Sequence, residues 1–118
     1  MKSFSRLDRL NKEVLRLLGA YCEREYDFNE YGMITITSVQ LAPDLRHAKV
    51  LVSVFLPSET TYTREDIIDM LNNDEYKIKG EIAQGIRMKF VPKLHFRIDD
   101  AQDKVDEVTS LLRKISHD

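Results

Sequence analysis

Residues 38–55 read SVQLAPDLRHAKVLVSVF, with seven residues, 41–47, between two stretches that look like strands. On the N-terminal side MITITSV sets Ile34 and Ile36 against Thr35 and Thr37, the alternation of a half-buried strand. On the C-terminal side AKVLVSVF puts Ala48, Val50, Val52 and Val54 on one face and Lys49, Leu51, Ser53 and Phe55 on the other. Two such runs predict an antiparallel pair. A tight hairpin would close with two residues, often Asn-Gly. Here Pro43 presets φ for a turn, and Asp44 can accept hydrogen bonds from backbone amides just ahead of it. Together they rigidify a connection too long for hairpin geometry alone, and Arg46, His47 and Lys49 project beside it. Pro and Asp are generic turn residues, so the loop is either purely structural or a surface shaped for a partner.

Working outward, Leu7, Leu10, Val14, Leu17, Leu18 and Tyr21 make one apolar stripe of a helix from about Arg6 to Glu25. Ser5 with Asp8 resembles a capping box at its start. DFNEYG is polar and turn-rich. Beyond the strand pair, Pro57 breaks the chain and Thr63 can cap a short helix, REDIIDML, that Asn72, Asn73 and Asp74 interrupt. A second helix is expected through EYKIKGEIAQGIRMKF, with Ile78, Ile82 and Ile86 as its buried edge and Pro92 as its stop. Gly80 and Gly85 each weaken it by about 1 kcal/mol relative to alanine, which suits close packing or a close partner. KLHFRI is a third strand with Leu94, Phe96 and Ile98 inward. Asp99 or Asp100 then caps a last helix with Val105, Val108, Leu111, Leu112 and Ile115 as its stripe. The order α-β-β-α-α-β-α predicts an α+β fold, helices packed on a three-stranded sheet.

The 118 residues suit one domain, 1–118, with a single core. Cys22 is the only cysteine, which rules out an internal disulfide and reads as a buried thiol. No apolar stretch approaches the roughly 20 residues of a membrane span. MKSFSRLDRLNKEV lacks the apolar core of a signal peptide, so a cytoplasmic location is expected. The net charge of −2 hides segregation: residues 77–97 carry six Lys/Arg against Glu81 alone, while Glu59, Glu65, Asp66, Asp69, Asp74 and Glu75 cluster before them.

Catalysis finds little support. His47, His95 and His117 show no metal-ligand spacing, and Cys22 has no obvious histidine partner. No enzyme activity, metal or cofactor is expected. RNA binding is better supported, because phosphate contacts need clustered Lys and Arg. The candidates are Arg6, Arg9, Lys12 and Arg16 on the first helix, Arg46 and Lys49 at the loop, and Lys77, Lys79, Arg87, Lys89 and Lys93 around the central helix. Phe90 and Phe96 read as core, so aromatics for base stacking are few. That favours recognition of folded RNA by shape and backbone.

The element order resembles type II KH domains, and the chain more specifically resembles the bacterial ribosome-binding factor A family over nearly its whole length. The resemblance rests on the Arg- and Leu-rich first helix, on Asp44, Leu45, Ala48, Lys49 and Val50, and on Pro92-Lys93-Leu94-His95-Phe96 with Asp99. It implies a non-enzymatic factor that binds free small (30S) ribosomal subunits through 16S rRNA and assists late maturation and rRNA processing. The implied partner is the small subunit, with ribosomal proteins as further candidates beside its rRNA; a monomer without cofactor or membrane is expected. One feature departs. The family's Ala-x-Gly kink between the central helices falls here near Asp74-Glu75-Tyr76, while Ala83-Gln84-Gly85 spells the motif too close to Pro92. A competing reading is an α+β interaction module that self-associates without RNA; a hydrolase or redox enzyme using Cys22 is the weakest.

Overall fold

Ser5 opens the first helix of the computed structural model, which describes residues 5–101. Its hydroxyl accepts from the Asp8 N–H at 3.1 Å and the Asp8 carboxylate accepts from the Ser5 N–H at 3.4 Å. This is the reciprocal cap that the sequence suggests. α1 runs Arg6–Glu25 and buries Leu10, Val14, Leu18, Tyr21 and Cys22. A single-turn helix not foreseen in DFNEYG follows: α2, Phe28–Tyr31, capped by the Asp27 side chain accepting from the Asn29 N–H at 3.0 Å. Gly32, at φ 82, turns the chain into the sheet.

β1 (Met33–Leu41) and β2 (His47–Phe55) pair antiparallel, with Met33 opposite Phe55 and Leu41 opposite Ala48. Thr37 is squeezed out of register between the Ile36–Val52 and Ser38–Leu51 pairs. This bulge moves the inward side from Ile36 to Val39 and Leu41, a phase change that simple alternation does not contain. β3 (Lys93–Ile98) joins β2 in parallel, giving a mixed sheet of order β1-β2-β3. Ala48, Val50, Val52, Leu94 and Phe96 face a single core shared with α1, α3 (Arg64–Asn73) and α4 (Glu75–Gly85). The opposite face of the sheet carries no described helix. The expected order is met through β3; the last helix lies outside the described residues beyond Ala101.

β3 is an edge strand whose outward backbone groups need partners, and at Phe96 α3 supplies them. The Phe96 N–H donates to Asn72 Oδ1 at 3.0 Å, and Asn72 Nδ2 donates to the Phe96 carbonyl at 3.2 Å. At roughly 1 kcal/mol per net hydrogen bond, Asn72→Ala should lower stability by about 2 kcal/mol. Asn72→Asp should recover only part, because its carboxylate can accept from the N–H but repels the carbonyl. Urea unfolding checks this, and an unchanged midpoint for Asn72→Ala would show that water replaces both bonds without loss.

α4 ends at Gly85, not near Pro92. Ile86 is already extended at φ −132, ψ 135, and residues 86–92 form an irregular connection. Arg87 and Lys89 therefore leave the helix on which the sequence placed them. Gly85 serves close packing, since a Cβ there would stand 2.7 Å from Leu17 Cδ1 of α1; Gly80 does not, with nothing within 4 Å. α3 and α4 meet at Asp74, which caps both. The Tyr26 hydroxyl donates to Asp74 Oδ2 at 2.8 Å, and Tyr26 sits in a chain of edge-on rings with Tyr21 and Tyr31. Where the resembled family has a small-residue kink, this chain holds the junction by a phenol–carboxylate bond.

Candidate nucleic-acid interface

The strand-linking loop supplies the centre of the candidate interface. Leu41 and His47 belong to the strands, so the connection is five residues, 42–46, shorter than the sequence suggested. It closes with the Leu45 N–H donating to the Ala42 carbonyl and the Ala42 N–H donating to the His47 carbonyl, both at 2.8 Å. Asp44 Oδ1 accepts from the Arg46 N–H at 3.0 Å, the role foreseen for it. Leu45 stands at φ 61, a left-handed conformation that costs a non-glycine residue roughly 1–2 kcal/mol. Packing of its side chain against the core offsets that cost.

Arg46 meets Arg6 from the first turn of α1 and Lys89 from the connection after α4. With Asp44, Leu45, Met88 and Phe90 they line a cleft of about 420 Å³. Phe90 is not core: it is 60% exposed, with the Lys89 ammonium 5.5 Å from its ring centre. The expected i, i+4 series Ile78, Ile82, Ile86 would have buried it had the helix continued. Three cations around an exposed aromatic ring suit a nucleic acid, with cations for phosphate and a ring for a base. Sequence reasoning missed Phe90 because it carried the helix on to Pro92, whereas the helix stops at Gly85.

The other candidates divide. Arg9, Lys12 and Arg16 are exposed on α1 on the side away from Leu10, Val14 and Leu18. Lys77 and Lys79 do not share a surface, since two helical residues turn the direction by roughly 200°. Arg87 is exposed beyond α4, and Lys49 and Lys93 lie on the open face of the sheet. The acids segregate too: Glu59, Glu65, Asp66 and Asp69 are exposed on α3 and the segment before it. At the α3–α4 junction stand Asp74, Glu75 and Tyr76, none of them a cation, with exposed Lys77 one residue further on.

Cys22 is 3% exposed, and burial pushes its thiol from 9.0 up to about 12. Such a thiol stays protonated at neutral pH and is a poor nucleophile. No group of three or more potential metal ligands occurs among the described residues. Burial and the Asp74 carboxylate push Tyr26 upward as well. Both groups are neutral in the native state at pH values where the unfolded chain ionises. Their contribution to stability is thus complete below about pH 8.5 and declines as pH rises through the cysteine and tyrosine range. Each unit between the two states of Cys22 is worth about 1.4 kcal/mol, so we expect about 2–3 kcal/mol lost between pH 8.5 and 11. Cys22→Ala, less stable at the outset, should show a shallower decline in denaturation measured across that range; parallel curves would contradict the assignment.

An α+β domain with KH-type element order, carrying a cationic cleft at the strand-linking loop, is the class that fold and site define. A family model, Ribosome-binding factor A, matches residues 6–112. The chain belongs to the ribosome-binding factor A family. The ribosome-binding factor A of Xylella fastidiosa strain M12 is 31% identical over 97% of this chain and 88% of its own length. The crystal structure of ribosome-binding factor A from Thermus thermophilus has the same fold, with a TM-score of 0.68 at 21% identity, covering 80% of this chain and 97% of the other. A homology model of the Thermus thermophilus factor, fitted into the cryo-EM map of its complex with 30S, superposes with a TM-score of 0.63 at 23% identity over 78% of this chain and 93% of its own.

Proposed function

We propose that this protein is a non-enzymatic assembly factor that binds free small (30S) ribosomal subunits through 16S rRNA and assists their late maturation and rRNA processing. The observation that carries this reading is the convergence of Arg6, Arg46 and Lys89 around exposed Phe90, in a chain of the ribosome-binding factor A family. The Thermus relative fitted into a 30S complex supports the same partner. The protein acts in the cytoplasm as a single copy; none of its described helices is long and apolar enough to cross a membrane. Its mechanism is differential affinity: binding stabilises one rRNA arrangement over another, and release follows when maturation removes the preferred arrangement. The acidic α3 surface keeps RNA contacts to the cationic side.

Sedimentation of the purified protein with separated ribosomal particles tests this. Salt-sensitive association with free small subunits and not with joined ribosomes is the expected result. Failure to associate with any particle at low salt would refute it.

A further inference from the structure

The face of the sheet opposite the core carries a second set of cations that the cleft does not use. β2 and β3 pair His47 with Lys93, Lys49 with His95, and Leu51 with Arg97, so these side chains share that face. His47, Lys49, Lys93 and Arg97 are exposed and His95 is half-buried. Gln40 of β1, opposite Lys49, completes a shallow depression of about 370 Å³ lined by His47, Lys49, His95 and Arg97. His47 Nδ1 and His95 Nε2 are 3.0 Å apart, with the rings stacked at 5.2 Å between centres. Neither Lys49, Lys93 nor Arg97 is in an ion pair with a described residue. The carboxylate that reaches this face, Asp99, is occupied: it accepts from the Thr37 hydroxyl at 2.6 Å and from the Ala101 N–H at 3.0 Å.

We propose that this open sheet face is a second RNA-binding surface, in which Lys49, Lys93, Arg97 and the His47–His95 pair bind the phosphodiester backbone of rRNA. It rests on the reading of the protein as an rRNA-binding factor and adds a contact surface separate from the loop cleft. Three cations around two imidazoles repel a metal ion and attract an anion. Alternate residues along a strand lie ~6.6 Å apart, so Lys93, His95 and Arg97 form a row able to follow successive phosphates. While the two rings share a hydrogen bond, one nitrogen must accept, and the pair cannot be doubly charged. A phosphate accepting from both rings replaces that bond. Lys49, Lys93, Arg97 and Asp99 are the described charged groups on this face.

The test measures binding to purified free small subunits for the wild type, for Lys49→Glu/Lys93→Glu/Arg97→Glu, and for the milder Lys49→Gln/Arg97→Gln, each first shown by circular dichroism to melt cooperatively. We expect at least tenfold weaker binding for the triple variant, a smaller loss for the double variant, and a plot of log Kd against log salt flattened by roughly 2. His47→Gln/His95→Gln should weaken binding roughly threefold or more, because the paired imidazole donors to phosphate are lost. Wild-type-like affinity and salt slope in the charge variants would overturn the proposal while leaving the assembly-factor reading intact. Weakened binding with an unchanged salt slope would also overturn it, pointing to a ribosomal protein on this face. Wild-type protein that binds no subunit would remove both.

Discussion

Gly32→Ala is expected to cost on the order of 3–5 kcal/mol and to leave the protein largely unfolded at moderate urea. Gly32 sits at φ 82, ψ −171, a backbone region that is nearly the preserve of glycine. An added Cβ would run into the Phe55 carbonyl oxygen and stand 3.1 Å from Leu56 Cα. Those are backbone atoms at the end of β2, fixed by the Met33–Phe55 pair, and cannot swing aside as a side chain can. Gly80→Ala is the matched contrast. It lies in α4 with nothing within 4 Å, so alanine there should raise stability by about 0.5–1 kcal/mol. Urea unfolding of both variants beside the wild type decides the matter. A Gly32→Ala protein with a native midpoint would mean that the turn into β1 takes another conformation.

The largest effect on binding is expected from Arg6→Glu/Arg46→Glu/Lys89→Glu. These residues come from three separate elements, yet line one cleft with Phe90. If the cleft holds phosphate, replacing its three cations by carboxylates both removes counterion release and adds repulsion, so subunit affinity should fall roughly 100-fold or more at low salt. The dependence of log Kd on log salt should flatten by roughly 2–3. None of the three is buried, so the fold should survive, which thermal unfolding can verify. Lys77→Glu/Lys79→Glu is the comparison of choice: those side chains leave α4 in opposed directions, and their reversal should weaken binding far less. Equal losses in the two variants would mean that only overall charge counts and that the cleft is not a site.

The two expectations differ in how much of them the sequence can carry. That Gly32 ends a turn is visible in DFNEYG, whereas its intolerance of a Cβ depends on where Phe55 passes. Arg46 is a candidate from the loop alone, and Arg6 from the first helix alone. Their meeting with Lys89 is not foreseeable from either. Phe90 shows the reverse, a residue whose helical spacing argues for burial and which the fold leaves in solvent.

Local chemistry determined much by itself. α1 with its Ser5–Asp8 cap, α3 with Thr63 and Asp66, the two alternating strands, and the Pro43-Asp44 turn each depend on residues within a few positions of one another. Hydrophobic period and side-chain capping act over that range, so sequence alone specifies them. Other features were decided by contacts between segments distant in the chain. The last turn of α4 packs where Gly85 meets Leu17, and the β3 edge is satisfied at Phe96 by Asn72. The α3–α4 junction is held by Tyr26, and the His47–His95 pair exists because β2 and β3 run parallel in one register. Packing and strand pairing join residues that no local pattern relates, and the cleft, like the open cationic face, is made by that joining.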